Sequence, residues 1–330
     1  MADERFDVLA VGNAIVDVNA RAEDAFLEKH ALPKGAMTLV DATWADALYA
    51  EMGPATEMSG GSSANTLAGI AALGGRTAFC AKVRDDQLGQ IFRHDIRAVG
   101  TTFDTPPATD GPATARCLVF VTPDAQRTMA TYLGVSTQLA PEDVDHERIQ
   151  RARVTYLEGF LWDAPRAKQA FIDAARTARA AGGEVALSLS DPFCVERHRE
   201  SFRDLVDGHV DILFANSDEI TSLYEVDTLE EAIEHLRGRV RIAALTRGVN
   251  GSVVVTADDT VAVPATMPER LEDTTGAGDL YAAGFLHGYT QGLSLARCAE
   301  LGGQCAADVI ARVGGRPQHD LRSLVAGDGL

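Results

Sequence analysis

Short apolar runs alternate along the chain with stretches in which apolar residues recur every three to four positions. The first pattern is typical of buried strands and the second of amphipathic helices. The predicted strands cover residues 8–11, 77–83, 154–157, 185–189, 210–215 and 242–245, and the predicted helices cover residues 64–73, 87–99, 166–181, 229–237 and 294–313. Strands that are apolar throughout and separated by helices indicate an α/β fold with a mainly parallel sheet covered on both faces.

Residues 100–133 break this alternation, because they are rich in Thr and Pro. Two β-like runs, residues 116–121 and 128–133, are separated by the turn signal Pro123-Asp124, which predicts a hairpin. Residues 37–40 form a further β-like run. We therefore expect a small β-sheet attached to the α/β core, in a position to close over a site as a lid.

This alternation predicts one large domain plus the lid. Its first core strand lies in residues 1–12, and residues 13–60 belong partly to the lid. Residues 61–99 return to the core and residues 100–133 supply lid strands. Residues 134–330 form the rest of the core.

Composition and charge limit the partners. The chain has 330 residues, of which 46% are hydrophobic and 24% charged, with a net charge of −18. Such a surface repels phosphodiester backbones and anionic lipids, so we expect neither nucleic-acid nor membrane binding. The N-terminus is acidic and lacks a signal-peptide pattern, and no apolar run approaches the ~20 residues that span a bilayer. The sequence therefore predicts a cytoplasmic protein.

Polar and glycine-rich segments follow several predicted strands, where open parallel sheets bind ligands. The strongest is Asp273-Thr-Thr-Gly-Ala-Gly-Asp279, which precedes a helical run over residues 280–289. Gly276 and Gly278 allow successive N–H groups to turn inward, and the helix adds its positive end, so an anion site is expected here. Asp279 could then take a hydroxyl proton during phosphoryl transfer. The alternative is an ordinary glycine-rich turn in which Asp279 only complements the helix.

Other nucleotide-binding signatures are absent from the sequence. There is no GxxxxGK[ST] motif, no GxGxxG after residues 8–11, and no set of protein-kinase motifs. These absences argue against a P-loop NTPase, a dinucleotide-binding fold and a protein kinase. Five cysteines without CxxC spacing suggest neither a disulfide framework nor a zinc site.

Four motifs resemble those of PfkB-type carbohydrate kinases in the ribokinase-like superfamily. Residues 273–285 resemble the second signature of that family, and Gly60-Gly-Ser-Ser-Ala-Asn65 resembles the first. The segment Asn216-x-x-Glu219 resembles its magnesium- and phosphate-organising motif, and Thr246-x-Gly248-x-x-Gly251 its nucleotide-binding loop. The motifs occur in family order, so the resemblance covers nearly the whole chain.

The resemblance implies a ribokinase-like αβα sandwich with a small β-sheet lid, and ATP as phosphoryl donor. It also implies that residues 134–330 form the nucleotide-binding and catalytic part of the core. Asp279 would be the base, and the N–H groups of Gly276, Ala277 and Gly278 would stabilise the transferred group. Mg²⁺ would be organised through water near Asn216 and Glu219. Substrate hydroxyls would contact Asn13, Asp17, Gly60, Gly61 and Asn65, and ATP would contact Thr246, Gly248 and Gly251. A monovalent-cation requirement stays open, as does the choice between a monomer and a homodimer.

Most of these motifs also have a purely structural interpretation. Asn13 and Asp17 could end a strand and cap a turn, and Gly60-Gly61 could be a loop before a helix. Glu219 could only complement a helix dipole. Gly248 and Gly251 could form a hairpin turn before residues 252–255.

Substrate preference rests on three further segments. Residues 12–18 resemble the start of the adenosine-kinase-like branch, Arg127 resembles its lid arginine near the γ-phosphate, and residues 156–162 resemble its base-binding wall, with Phe160 facing the base. Phe160 could instead pack in the core, and Arg127 could be a surface ion-pair member. The resemblance therefore implies transfer to the 5′-hydroxyl of adenosine, in purine salvage. A ribokinase- or fructokinase-type sugar kinase is the first alternative, and a non-catalytic nucleotide- or sugar-binding protein the second.

Overall fold

The computed structural model describes residues 5–124 and 126–327 and contains a large and a small β-sheet. In this described part of the chain the strands are β1 Phe6–Val11, β2 Ile15–Arg21, β3 Met37–Leu39, β4 Ala55–Gly60, β5 Thr77–Cys80, β6 Ala115–Val121, β7 Arg127–Tyr132, β8 Ala152–Glu158, β9 Glu184–Ser188, β10 Ile212–Asn216, β11 Ile242–Thr246, β12 Ser252–Val255 and β13 Thr260–Val263. The α-helices in the same residues are α1 Asp24–Lys29, α2 Ala42–Glu51, α3 Ser62–Ala72, α4 Gln87–Ala98, α5 His146–Ile149, α6 Pro165–Ala180, α7 Pro192–His209, α8 Ser217–Tyr224, α9 Leu229–Leu236, α10 Ala277–Thr290 and α11 Leu295–Ile310.

The large sheet has the strand order β13-β12-β11-β10-β9-β8-β1-β5. Neighbouring strands pair in parallel along the series β5, β1, β8, β9, β10 and β11. Strand β12 then pairs antiparallel with β11, and β13 pairs antiparallel with β12. Val11 pairs with Leu157, and Asn216 with Thr246, each near the end of its strand. The carboxyl ends of the parallel strands therefore meet at one edge, where such sheets bind ligands.

Helices cover both faces of the large sheet. On one face, Phe171 of α6 and Phe202 of α7 belong to a buried apolar cluster with strand residues such as Leu187. On the other, Leu67 of α3 and Phe285 of α10 pack in a second cluster. Burial on both sides explains why these strands are apolar throughout. The predicted αβα sandwich with a mainly parallel central sheet is confirmed.

The small sheet has the order β3-β7-β6-β2-β4. Val18 of β2 and Phe120 of β6 pack against Leu27 of α1 and Leu48 of α2 in a third apolar cluster. Since successive strand residues point to opposite faces, Asp17 and Asn19 lie on the face away from α1 and α2. The small sheet therefore buries one face and presents polar side chains on the other.

The predicted hairpin is confirmed, since β6 and β7 pair antiparallel with Arg116 opposite Tyr132. The structure also shows elements that the sequence pattern did not predict, among them β2 and β4 in the small sheet and α7 on the core. The helix expected over residues 294–313 ends at Ile310, and β5 ends at Cys80 although the apolar run continues. Residues 311–318 instead run back toward the sheet edge, with Gly314 at φ +102°. No helix within residues 5–124 and 126–327 is long and apolar enough to cross a membrane.

Candidate active site

The glycine-rich loop and the first turn of α10 form the centre of the site. Gly276 is the N-cap of α10 at φ +77°, and Ala277, Gly278 and Asp279 are the first residues of the helix. The amides of a first helical turn have no acceptor inside the helix, so they are available to an anion. The Ala277 amide meanwhile donates to the Thr274 carbonyl across 3.3 Å. The structure thus places the loop at the positive end of a helix.

The Asp279 carboxylate is held by α3. Ser62 Oγ donates to Asp279 Oδ1 at 2.6 Å, and Asn65 Nδ2 donates to Asp279 Oδ2 at 2.9 Å. Burial raises the pKa of Asp279, against the opposing effect of these two hydrogen bonds and of the Arg316 charge. Asp279 therefore does more than complement its own helix, because its carboxylate is fixed by side chains over 200 residues earlier in the chain.

Asp17 and the glycine pair lie beside Asp279. A Cβ atom added to Gly60 would lie 2.3 Å from Asp17 Oδ2, so the absence of a side chain lets the Asp17 carboxylate lie flat against β4. Gly61 is the N-cap of α3 at φ +97°. Burial raises the pKa of Asp17 to about 6, while Arg316 and Arg127 lower it and Asp279 and Asp273 raise it. The structure thus brings together Asp17, Gly60 and Asn65, three of the residues predicted to contact substrate hydroxyls.

Asn13 lies deeper than an open substrate ligand would. It is 1% exposed, and its Nδ2 donates to Glu158 Oε1 at 2.7 Å. Glu158 also accepts from the Ser63 amide at 2.8 Å, and burial raises its pKa. Among the described residues, Asn13 Oδ1 has no hydrogen-bond partner. Glu158 was not assigned a role from the sequence, although a carboxylate directly after a predicted buried strand was a signal for one.

Arg127, the first residue of β7, reaches from the small sheet to the glycine-rich loop. Its guanidinium donates to the Asp273 carboxylate and to the Thr275 hydroxyl. Asp273 also accepts from the Thr275 amide at 2.9 Å and the Gly314 amide at 2.8 Å. Burial alone would raise the pKa of Asp273, but these donors hold it below its usual value. Arg127 is therefore part of a buried ion pair at the loop.

Asn216 and Glu219 form a reciprocal cap at the start of α8. Asn216 Oδ1 accepts from the Glu219 amide at 2.8 Å, and Glu219 accepts from the Asn216 amide at 3.0 Å and from Asn216 Nδ2 at 2.8 Å. Glu219 is 6% exposed, and burial raises its pKa to about 7. The structure therefore shows the helix cap at this motif, and the cap fixes the Asn216 and Glu219 side chains against each other.

These residues fit a magnesium ion that is bound indirectly. Both Glu219 carboxylate oxygens are already hydrogen bonded to Asn216, so they suit contact through water better than direct ligation. Within the described residues, no group of three or more His, Cys, Asp or Glu side chains is arranged to hold a metal ion. An ion held mainly by phosphate oxygens and water is consistent with this arrangement.

A cleft of about 790 Å³ opens beyond Asn216. Thr246 and Gly248 line it together with Asp218 and Asn250. Gly251 has a different reason to be glycine: it lies at φ +80°, and an added Cβ would be 2.0 Å from the Val263 carbonyl oxygen. The hairpin interpretation therefore accounts for Gly251, whereas Gly248 borders open space.

Two aromatic side chains lie at the ends of neighbouring strands. Phe160 follows β8 and is half-buried, and Phe193, in the first turn of α7 after β9, is 69% exposed. The two segments touch, because Cys194 Sγ approaches the Gly159 carbonyl oxygen at 3.5 Å. Trp162, in contrast, is a core residue stacked on Phe202. Phe193 was not predicted as a site residue, although it follows a predicted strand in the segment Asp191-Pro-Phe193.

A second residue absent from the sequence-based assignments is Arg316. Its Nε donates to Asn65 Oδ1 at 3.1 Å, and its Nη1 donates to Ser59 Oγ. With Asp17, Asn65 and Asp95 it lines a cavity of about 250 Å³. No local pattern around Arg316 distinguishes it from a surface arginine, so only the fold identifies it.

The chain is similar to known kinases over nearly its whole length. The crystal structure of adenosine kinase from Sinorhizobium meliloti is 52% identical, with a TM-score of 0.91 and coverage of 97% of this chain and 98% of that one. A probable sugar kinase from Rhizobium etli CFN 42 is 49% identical, with a TM-score of 0.92 and coverage of 98% and 99%. Adenosine kinase of Saccharomyces cerevisiae is 25% identical, with coverage of 93% and 95%.

The family profile described as pfkB family carbohydrate kinase matches residues 40–320. That range includes the glycine pair, the glycine-rich loop and Asp279. The resemblance found in the sequence is thereby confirmed, and so is the predicted enzyme class, an ATP-dependent kinase that transfers phosphate to a hydroxyl. The chain belongs to the pfkB family of carbohydrate kinases.

Proposed function

We propose that this kinase phosphorylates the 5′-hydroxyl of adenosine with ATP, and that Asp279 is its catalytic base. The observation that carries the catalytic assignment is the Asp279 carboxylate, fixed by Ser62 and Asn65 at the positive end of α10. A hydroxyl placed against this carboxylate would lie next to the amides that can bind a phosphoryl group. Base and anion site are then within reach of one reacting centre, as phosphoryl transfer requires.

In this mechanism Asp279 accepts the hydroxyl proton as the oxygen attacks the γ-phosphate of ATP. The amides of Gly276, Ala277 and Gly278 stabilise the negative charge on the transferred group. For Ala277 this requires its 3.3 Å contact with Thr274 to be shared or released. ATP would lie in the cleft of Thr246 and Gly248, with its terminal phosphate toward Arg127. Asn216 and Glu219 would hold a magnesium ion through water, and this ion would supply positive charge against the phosphates.

Adenosine as acceptor is supported by three observations. Phe160 and Phe193 offer aromatic surface at adjacent strand ends, which suits a flat purine. Asp17, beside Gly60, can accept hydrogen bonds from two ribose hydroxyls. The 52% identity to an adenosine kinase over nearly the full length points the same way. We place the reaction in purine salvage in the cytoplasm, where ATP is supplied.

A sugar kinase is the second candidate. The neighbour at 49% identity is called a probable sugar kinase, and 5-dehydro-2-deoxygluconokinase of Geobacillus kaustophilus is 26% identical over 318 residues. The Asp17 carboxylate would bind a sugar diol as well as it binds ribose. The aromatic surface at Phe193 favours the nucleoside, because a free sugar leaves such an exposed ring without a partner.

The deciding experiment measures ADP formation with ATP and magnesium against adenosine, guanosine, inosine, ribose, fructose and 2-keto-3-deoxygluconate. Preference for adenosine would support the proposal, and preference for a sugar would transfer the same mechanism to the second candidate. ATP binding without turnover of any acceptor would favour a non-catalytic binding protein. Asp279→Asn should lower kcat about 100- to 10,000-fold while ATP binding persists in calorimetry. Full activity in that variant would contradict the assignment of the base.

A further inference from the structure

The segment after α11 closes the junction between the glycine-rich loop and α3. The Gly314 amide donates to Asp273 Oδ2 at 2.8 Å. A Cβ added to Gly315 would lie 2.7 Å from Asn65 Nδ2, and one added to Gly276 would lie 2.7 Å from the Gly315 backbone. This close contact places the next residue, Arg316, against the back of the Asn65 amide.

Arg316 has three donor groups in this space. Its Nε donates to Asn65 Oδ1 at 3.1 Å and its Nη1 donates to Ser59 Oγ, while Nη2 is buried without a hydrogen-bond partner among the described residues. Burial lowers the pKa of Arg316 to about 10, so the guanidinium still carries its charge at neutral pH. The Arg316 cation is therefore separated from the Asp279 carboxylate by the side chain of Asn65, which binds both.

The two hydrogen bonds of Asn65 depend on each other. A guanidinium only donates and an ionised carboxylate only accepts, so the Asn65 amide must turn its oxygen to Arg316 and its NH₂ to Asp279. The flipped amide would bring an oxygen against the carboxylate and NH₂ against the guanidinium. Only one of the two amide orientations satisfies both neighbours.

We propose that Arg316 is a positioning residue for phosphoryl transfer: it holds Asn65 in the orientation that donates to Asp279, and its charge keeps that carboxylate ionised and directed at the acceptor hydroxyl. The proposal rests on the assignment of Asp279 as the base. Asn65 then serves the base as well as any substrate hydroxyl it contacts. Arg316 itself acts through Asn65 and need not touch the acceptor.

The electrostatic surroundings of Asp279 make this charge important. The ionisable groups that interact with Asp279 or with Arg316 come from several elements: Asp17 of β2, Asp95 of α4, Tyr156 and Glu158 of β8, and Glu219 of α8. Arg127 acts on Asp17 and is itself paired with Asp273. Arg316 is the cation whose charge lowers the pKa of Asp279. Its removal should therefore leave more of the base protonated at a given acidic pH.

The test compares Arg316→Met and Arg316→Lys with the wild-type enzyme in pH profiles of kcat and KM, using the preferred acceptor. In Arg316→Met, kcat on the alkaline plateau should fall about 10- to 100-fold from misplacement of the base. The acidic limb of kcat should also move up by about 1 pH unit, because an opposite charge has been removed. Arg316→Lys should keep the acidic limb of the kcat profile near its wild-type position, because the positive charge remains. It should not restore the plateau value of kcat, since the lysine ammonium lacks the planar arrangement of donors of a guanidinium.

Two further variants separate positioning from general damage. Arg312→Gln changes a nearby arginine that is bound to Asp308 at 2.8 Å, and should leave both plateau and limb unchanged. In an Asn65→Ala background, Arg316→Met should lower the plateau kcat by a smaller factor than in the wild type. Melting temperatures show whether each variant is folded.

An effect of Arg316→Met confined to KM, or an acidic limb that does not move, would overturn the proposal. If the wild-type enzyme phosphorylates none of the acceptors, the proposed function fails, and a crystal structure of Arg316→Met decides the positioning role separately. In that structure, an Asn65 amide still donating to Asp279 as in the wild type would overturn the proposal. Rotation of Asn65 away from Asp279 would support it.

Discussion

The Arg127 guanidinium donates to the Asp273 carboxylate, joining the small sheet to the glycine-rich loop across 146 residues of sequence. The side chains are only 11% and 3% exposed. Asp273 in turn accepts from two backbone amides, at Thr275 and Gly314. One carboxylate therefore fixes the loop that precedes Asp279, the segment that carries Arg316, and the first residue of β7.

Arg127→Met should destabilise the fold at neutral pH by about 3–5 kcal/mol, because it leaves the Asp273 charge buried without its partner. The measurement is the free energy of unfolding in urea. Arg166→Met is the matched control, since Arg166 and Glu142 are 65% and 61% exposed and such a pair contributes about 0–1 kcal/mol. Equal losses of unfolding free energy in the two variants would show that the buried ion pair stabilises the fold no more than an exposed one.

The ion pair of Arg127 and Asp273 also predicts how folding stability changes with pH. The pKa of Asp273 is held below its usual value, so the unfolded chain binds the proton more readily than the folded one. The stabilisation is therefore complete above the ordinary pKa of an aspartate and is lost as pH falls through the lower, folded value. Asp273→Asn should weaken this acid-induced loss of stability in urea titrations at decreasing pH.

For Glu219 we expect the opposite dependence of folding stability on pH. Burial raises its pKa to about 7, so the folded state binds a proton that the unfolded state releases at lower pH. Its contribution to stability therefore decreases as pH rises from the ordinary glutamate value toward 7. Glu219→Gln should reduce this decrease by on the order of 1–3 kcal/mol, measured as unfolding free energies across that pH window.

Glu231→Gln controls for the loss of a cap carboxylate. Glu231 occupies the same position in the reciprocal cap of α9, but it is exposed. Gln can still accept the hydrogen bond of the cap at this position, so the substitution should cost only the charge at the helix N-terminus, about 0.3–1 kcal/mol. A wild-type protein whose stability rises steadily through the same pH window, with no change in Glu219→Gln, would contradict the prediction for Glu219.

Gly60→Ala tests the close contact with Asp17. The new methyl group would lie 2.3 Å from Asp17 Oδ2, so the carboxylate must move. We expect kcat/KM for the acceptor to fall about 10- to 100-fold, as for other displacements near 1 Å at a reacting centre. Gly208→Ala is the control: its methyl group meets nothing within 4 Å and lies in α7, so activity should be unchanged. An unaltered kcat/KM in Gly60→Ala would remove Asp17 from the acceptor site.

Phe160→Ala and Phe193→Ala test the nucleoside assignment. Loss of an aromatic surface under a purine should raise KM for adenosine about 10-fold, with a smaller change for a free sugar. Tyr49→Ala removes another exposed ring, which lies on α2 beside Arg116 on the outer side of the small sheet, and should leave KM unchanged. Steady-state kinetics with adenosine and ribose decide the question. Unchanged KM for adenosine in both phenylalanine variants would favour the sugar-kinase alternative.

Local patterns were enough to predict the core of this protein. Continuous apolar runs identified the parallel strands because burial on both faces leaves no room for alternation. Glycine spacing before a helix identified the loop at Gly276 and Gly278, since backbone conformation and the helix dipole are local properties. The strands β2 and β4 escaped prediction because they are not continuous apolar runs: one face of the small sheet is polar, so buried residues of β2 alternate with more exposed ones.

The sequence by itself therefore determined the α/β architecture, the predicted anion site at the glycine-rich loop and Asp279 as the candidate base. Only the tertiary structure decided which groups act on that base. Ser62 and Asn65 reach Asp279 from 217 and 214 residues away, and Arg316 reaches Asn65 from 251 residues away. Contacts of this kind leave no periodic trace in the sequence. The pKa of Asp279 likewise depends on burial and on neighbouring charges, which exist only once the chain has folded.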